Sequence, residues 1–222
     1  MMGPPPTEAE RLRALGLALV HAVRSPLAAI RALAEEGQGQ AAGAAWGEGL
    51  ALIDAQVERV DAMLGDYAVL VRARPARRRR VPLRDLIDRA CVAVVRRETM
   101  AVLPVLIEAP NDEVAVDAVQ VERVLIELLT NALEAPGVTT VRLSASCEAS
   151  ALRLAVSDDG AGVPAAIQSR VGEPFVSTKP WGTGLGWALC RMHARAHGGE
   201  LTIDSAEPGT IASVVLPLRD EG

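Results

Sequence analysis

Between Ser157 and Gly186 the chain reads SDDGAGVPAAIQSRVGEPFVSTKPWGTGLG. Two glycine clusters, Asp158-Asp159-Gly160-Ala161-Gly162 and Gly182-Thr183-Gly184-Leu185-Gly186, lie on either side of Phe175 and Lys179. Glycine admits positive φ and close backbone approach, so each cluster can turn amide N–H groups towards an anion where a Cβ would collide. The second cluster runs into apolar residues at helical spacing (Leu185, Ala188, Leu189, Met192, Ala196), and the free N–H groups and dipole at the start of such a helix favour a phosphate. The first follows an alternating strand marked by Leu152, Leu154 and Val156. A dinucleotide fingerprint is excluded, because Trp187 stands where its third glycine belongs and the preceding EPFVSTKPW reads as a loop. A P-loop is excluded as well, since no Gly-x-x-x-x-Gly-Lys-Ser/Thr run exists.

Upstream, VERVLIELLTNALEA places Val121, Val124, Leu125, Leu128, Leu129 and Ala132 on one helical face, with Glu127 and Asn131 four apart on its flank. A carboxylate and an amide oxygen at that spacing also make an ordinary solvated helix edge. Beside two glycine loops they suit a hard cation such as Mg²⁺, which keeps waters and substrate phosphates as its other ligands.

The order ELLTNALEA, SDDGAG, EPFVSTK, GTGLGWAL and AHGGEL resembles the N, G1, F and G2 boxes of two-component sensor histidine kinases, within the gyrase, Hsp90, histidine kinase and MutL superfamily. PFVSTK followed by GTGLG is most similar to kinases of the nitrogen-regulation type, and the resemblance runs from about Thr7 onward. It implies that Asp158 reads the adenine amino group of ATP and that Asn131, with Glu127 nearby, holds Mg²⁺. Gly160, Gly162, Gly182, Gly184, Leu185 and Gly186 would shape the phosphate site, with Lys179 and Thr183 touching phosphates.

Ahead of this region, Leu12, Leu15, Leu19, Val23, Leu27, Ile30 and Leu33 recur every three or four residues, and Thr7 with Glu10 forms a capping-box pattern. After the break GQGQAAG, a second run (Leu50, Ile53, Val57, Val60, Leu64, Tyr67, Val71) repeats in heptads. Two such helices predict an antiparallel hairpin, whose apolar surface is best buried by pairing into a four-helix bundle, hence a homodimer. His21 sits 200° from both Leu19 and Val23, so the spacing turns its imidazole to solvent. Pro26 should bend the helix beside it. HAVRSPLAAI resembles the H box of histidine kinases, which would make His21 the phosphoryl acceptor.

Two residues depart from that family's usual pattern. Ala22 stands where an acidic residue normally follows the histidine, so autophosphorylation should be slow by the factor of about 10² to 10⁴ that general acid–base help supplies. Ser25 takes the place of the Thr or Asn of phosphatase-competent members. Glu127 replaces a common Asn, which leaves ATP hydrolysis open, with Glu127 as a base towards water.

Across Arg77 to Arg80 a four-arginine run lies between Pro75 and Pro82, a linker expected to be solvated or to dock an acidic partner. An amphipathic helix from Leu83 and strands over VLPVLIEA, DEVAVD, 139–146, 151–157, 200–205 and 210–217 complete the chain. The expected architecture is α+β: a hairpin over 1–74, a linker over 75–82, and over 83–222 an α/β sandwich of the Bergerat type that the resemblance implies. A net charge of −5 argues against nucleic-acid binding. Three scattered cysteines suggest neither a disulfide framework nor a zinc site. His193 and His197 have metal-ligand spacing, but His197 precedes a glycine cap, where a cationic ring would complement the helix dipole. With no signal peptide and no apolar run of the roughly 18 residues a membrane span needs, a soluble cytoplasmic protein is expected. Its expected partners are a response-regulator receiver and a separate upstream sensor. The leading expectation is a soluble histidine kinase; the alternatives are a nucleotide-binding docking module and an ATPase using Glu127.

Overall fold

The computed structural model describes residues 8–37, 44–97, 105–148, 150–179, 182–205 and 208–218. Its contacts divide the chain into two compact units, Met1–Arg72 with Gly172–Ala188, and Ala73–Val171 with Leu189–Gly222. In the first, α1 (Glu8–Gly37) and α2 (Ala44–Val71) pack against each other. The Tyr67 hydroxyl near the end of α2 lies 3.6 Å from where a Cβ on Gly16 would stand, which fixes an antiparallel pair. The proposed capping box falls on Thr7, outside the described residues.

The heptad pattern of α2 divides between two surfaces. Ile53, Val60 and Tyr67 are half-buried, whereas Leu50, Val57, Leu64 and Val71, also spaced by seven, stay 40–52% exposed. The hairpin alone therefore covers only part of the expected seam. A second expectation is corrected by α1. Ala14–Ala34 is long and apolar enough to cross a membrane by length and composition, with a mean hydropathy of 1.4, although no such run was expected. The helix runs unbroken through Pro26, which lacks the N–H that would bond the carbonyl of Ala22.

The second unit is a five-stranded mixed sheet in the order β2-β4-β5-β7-β6, from β2 (Val105–Glu108), β4 (Val141–Glu148), β5 (Ala151–Asp158), β6 (Glu200–Ser205) and β7 (Thr210–Pro217). Among the described residues only β2 and β4 pair in parallel. A two-stranded ribbon of β1 (Arg79–Pro82) and β3 (Glu113–Val116) lies apart from it. The helices are α3 (Leu83–Arg97), α4 (Ala118–Leu133), the single turn α5 (Ala165–Gln168) and α6 (Gly186–Ala196). Alternation sends Leu152, Leu154, Val156, Ala212, Val214 and Leu216 to one buried face, while Arg142, Arg153, Thr202 and Ile211 face solvent. Against the buried face packs α4, through Val121, Val124, Leu125, Leu128 and Leu129. This is the expected α+β sandwich, helices on one side of a mixed sheet.

The segment expected to be a solvated linker does leave Arg77, Arg79 and Arg80 exposed, while other parts of it are tied down. Residues 79–82 form β1. The Arg78 guanidinium donates to the carbonyls of Pro217 and His197, and the Ala76 N–H donates to the Ala196 carbonyl at 3.4 Å. The Asp117 carboxylate, N-cap of α4, accepts from Arg74 at 2.6 Å and from the Arg77 N–H at 2.9 Å. Burial alone would raise this carboxyl, but the Arg74 hydrogen bond, then the Arg77 and Gln120 N–H groups, hold it below its ordinary value.

His197 departs from expectation as well. It is 1% exposed, its Nε2 accepts the Asp117 N–H at 3.0 Å, and its Nδ1 lies 2.8 Å from the His193 carbonyl. Accepting through Nε2 and donating through Nδ1 defines a neutral ring, and burial lowers its pKa. The ring thus joins the ends of α6 and the start of α4 without a charge for the helix dipole. Two residues on, a Cβ at Gly199 would stand 2.0 Å from the Val215 carbonyl oxygen. Gly199→Ala is expected to destabilise the second unit by about 2 kcal/mol, read from the shift of its urea midpoint at constant slope.

Candidate nucleotide site

Cross-strand register assembles part of the site in the second unit. Apolar rows such as Leu143, Val156, Ala212 and Ile203 cross the buried face, and the next row out is Val141, Asp158, Thr210 and Ser205. Because β5, β7 and β6 each end here, three polar side chains replace the apolar ones at one margin of the helix-covered face. They border a cleft of about 560 Å³, shared with Val163, Gln168 and Ile203. Ser205 Oγ accepts the Val163 N–H at 2.6 Å and donates to the Gly209 carbonyl at 3.2 Å.

The two neighbouring aspartates have separate tasks. Asp158 Oδ1 accepts the Gly160 N–H at 3.0 Å and is half-buried at the cleft. Asp159 points elsewhere: its carboxylate accepts the Thr139 hydroxyl, the Thr139 N–H at 2.8 Å and the Thr140 N–H at 2.9 Å. The hydroxyl bond, followed by the two N–H bonds, holds that carboxyl well below the usual range. Ala161 N–H donates to the Pro136 carbonyl at 2.9 Å, seating the first glycine cluster, Gly160 and Gly162 included, on the turn that follows α4.

Along α4, Glu127 and Asn131 are both half-exposed, one turn apart, as the periodicity predicts. Glu127 is ion-paired to Arg123 at 2.8 Å, one turn earlier. Among the described residues no group of three or more His, Cys, Asp or Glu could hold a metal. The Asn131 amide and Glu127 carboxylate oxygens are hard donors of the kind a Mg²⁺ ion would take beside water and phosphate. His193 and His197 do not form a metal site: both are buried, and both nitrogens of His197 are engaged.

The second glycine cluster belongs to the first unit. Gly184 has φ +69°, and a Cβ there would lie 2.6 Å from the Phe175 carbonyl carbon. Phe175 is itself at φ +66°, unusual for a bulky residue, and its N–H donates to the Gly184 carbonyl at 2.8 Å. Thr183 Oγ1 accepts the Leu185 N–H at 3.2 Å, and Leu185 is fully buried immediately before Gly186 opens α6. Lys179 is half-exposed, with its N–H bonded to Ser177 Oγ at 3.1 Å. Also in this unit, His21 and Ser25 are exposed one turn apart on α1, and Ala22 is half-exposed.

Thr210, Ser205 and Val163 were missed as site residues. The turn at Pro208-Gly209 shows in the sequence, but the pairing that lays Thr210 beside Asp158 depends on register.

Residues 116–220, which hold most of the helix-covered sheet and Asp158 at its polar margin, match the family of histidine kinase-, DNA gyrase B-, and HSP90-like ATPases. Over more than nine-tenths of its length the chain is similar to the catalytic cores of two-component sensor histidine kinases. It is 32% identical over 225 residues to the sensory histidine kinase/phosphatase NtrB of Rhodobacter capsulatus, covering 92% of this chain and 62% of NtrB. To the signal transduction histidine-protein kinase AtoS of Escherichia coli it is 27% identical over 227 residues, 97% of this chain and 37% of AtoS. The chain thus spans well under half of AtoS. Among solved structures, the mycobacterial sensor histidine kinase MprB superposes with a TM-score of 0.56 at 29% identity, over 64% of this chain and 98% of that one. Histidine kinase ThkA in complex with the response regulator protein TrrA gives a TM-score of 0.79 at 21% identity, over 95% of this chain and 64% of that one, a likeness of fold.

Proposed function

We propose that this chain transfers the γ-phosphoryl group of ATP to His21 and then to an aspartate of a response-regulator receiver. The observation that carries this reading is the difference among the three histidines: His193 and His197 are buried and held neutral, while His21 is exposed on α1. Asp158 receives the adenine amino group, with Thr210 at its side, and Asn131 with Glu127 would hold Mg²⁺. That ion supplies charge neutralisation on the phosphates when bound. Lys179, Thr183 and the N–H groups at the start of α6 receive the phosphates.

A neutral nitrogen of His21 forms the P–N bond as ADP departs. The ring proton passes to water, since Ala22 offers no carboxylate. The Arg123 pairing of Glu127 leaves a less available base for water, which favours the kinase over the ATPase reading. Ser25, one turn from His21, would orient water in the reverse, dephosphorylating direction. Ala22 supports one competing reading, a module that binds nucleotide and receiver but scarcely transfers phosphate.

The exposed heptad stripe of α2, with Leu17, Val20 and Leu27 of α1, supports a homodimer through a four-helix bundle. The same pairing accounts for the apolarity of α1. As a membrane span it would carry Arg24 and Arg31 into hydrocarbon, each at about 3 kcal/mol near the helix centre. Free Cys91, Cys147 and Cys190 suit a reducing cytoplasm. The receiver partner follows the ThkA complex with its response regulator.

The test is incubation with γ-labelled Mg-ATP, followed by a receiver domain. Acid-labile label that moves to the receiver establishes the kinase; nucleotide binding without label establishes the docking module. Asp158→Ala is expected to weaken nucleotide binding about 10- to 100-fold in calorimetric titration while leaving the melting transition in place.

A further inference from the structure

Two side chains of α2 grip consecutive residues of the second glycine cluster. Arg59 Nη2 donates to the Gly182 carbonyl at 3.4 Å, and Thr183 Oγ1 donates to Asp66 Oδ2 at 3.2 Å. Arg59 and Asp66 are seven residues apart, which places them on one face of the helix, two turns from each other. Neither contact suits its partner as a permanent arrangement. Arg59 Nε is buried with no hydrogen-bond partner, and its bond to Gly182 is long, so a guanidinium of five donors is underused beside a loop built for an anion. The Thr183 hydroxyl spends its one proton on a carboxylate while its oxygen accepts the Leu185 N–H. It therefore has no proton left for a phosphate.

We propose that Arg59 and Asp66 form a clasp that a nucleoside triphosphate exchanges. In the nucleotide-free protein Asp66 holds Thr183 and Arg59 holds Gly182. When a triphosphate enters, Thr183 releases the Asp66 carboxylate, which would repel the incoming anion, and turns its proton to a phosphate oxygen. Arg59 leaves the Gly182 carbonyl and takes the γ-phosphate through its forked donors. The γ-phosphate is the relevant group because His21 lies on the same hairpin as Arg59, so that end of the nucleotide must approach it. Arg59 is thus a phosphate-binding residue contributed by the hairpin, and Asp66 a positioning residue that acts through Thr183. This inference rests on the nucleotide reading of the glycine cluster given above.

The experiment titrates the full chain with Mg-AMP-PNP and with Mg-ADP by calorimetry. Arg59→Ala is expected to weaken AMP-PNP about tenfold or more and to change ADP less than about twofold. Asp66→Ala is expected to tighten AMP-PNP about three- to tenfold, and to lose that gain in a Thr183→Val background. Arg59→Gln gives the same readout if the alanine variant does not fold. Equal losses for both nucleotides in Arg59→Ala, or unchanged affinities in every variant while the wild type binds both, overturn the clasp alone. A wild type that binds neither nucleotide overturns the nucleotide reading, and the clasp with it.

Discussion

His21→Ala is expected to take up no acid-labile phosphate from γ-labelled Mg-ATP, under conditions in which the wild type accumulates it over minutes to hours. The loss should be complete because neither remaining histidine can substitute: His193 is 6% and His197 1% exposed. A buried ring has no path to a phosphoryl group, whereas His21 stands on the solvent side of α1. A phosphohistidine bond hydrolyses in acid and survives base, which separates it from serine or threonine esters. The wild-type rate carries its own information. With Ala22 in place of a carboxylate, the proton released on attack has only water to receive it, so Ala22→Glu is expected to accelerate labelling by about 10²-fold or more. Equal, sustained phosphate release from the wild type and His21→Ala would instead assign the chemistry to Glu127, and the Arg123 pairing would then need to open during turnover.

The second large effect is on stability. His193 is buried on α6, and burial, with the nearby His197 and Arg123, pushes its pKa down to about 4. An unfolded histidine titrates near 6.5. Between those values the unfolded chain binds a proton that the folded chain refuses, so stability rises with pH across the window and falls as pH drops from 6.5 towards 4. His193 alone contributes about 3 kcal/mol to that loss at 1.36 kcal/mol per pKa unit. His197 acts in the same direction, since a proton on Nε2 would break its bond from the Asp117 N–H and set a charge beside Arg78 and Arg74. The Asp117 carboxyl titrates below its ordinary value and acts only at still lower pH. Urea denaturation of the wild type at pH 7.5 and 4.5 should show the loss. His193→Leu should flatten it at little cost at pH 7.5, because His193 Nδ1 is buried without a hydrogen bond that leucine would forfeit. An identical pH slope in His193→Leu would sink this account.

Local chemistry carried much of this protein in its sequence. Period-two alternation marked β4 and β5, the turn residues between β6 and β7 marked those two strands, and the 3.6-residue period marked the α4 face that meets the sheet, with Glu127 and Asn131 on its flank. Backbone sterics made the two glycine clusters legible, because few residues other than glycine tolerate φ +69° or so close an approach as Gly184 makes to Phe175. His21 was legible as a solvent-facing ring from angle alone. Other features depended on residues far apart in the chain. Thr210 and Ser205 join Asp158 through cross-strand register, which the strand sequences do not encode individually. The two buried histidines lose their charge because tertiary burial withdraws them from water, although spacing alone suggested a metal pair or a cationic cap. Likewise, Arg77, Arg79 and Arg80 are exposed as the charge run suggests, but Arg78 is half-buried because Pro217 and His197 supply it with carbonyls. Patterning along one segment records which face is apolar or polar; only the folded chain decides what that face meets, and the desolvation and hydrogen bonding that follow set its chemistry.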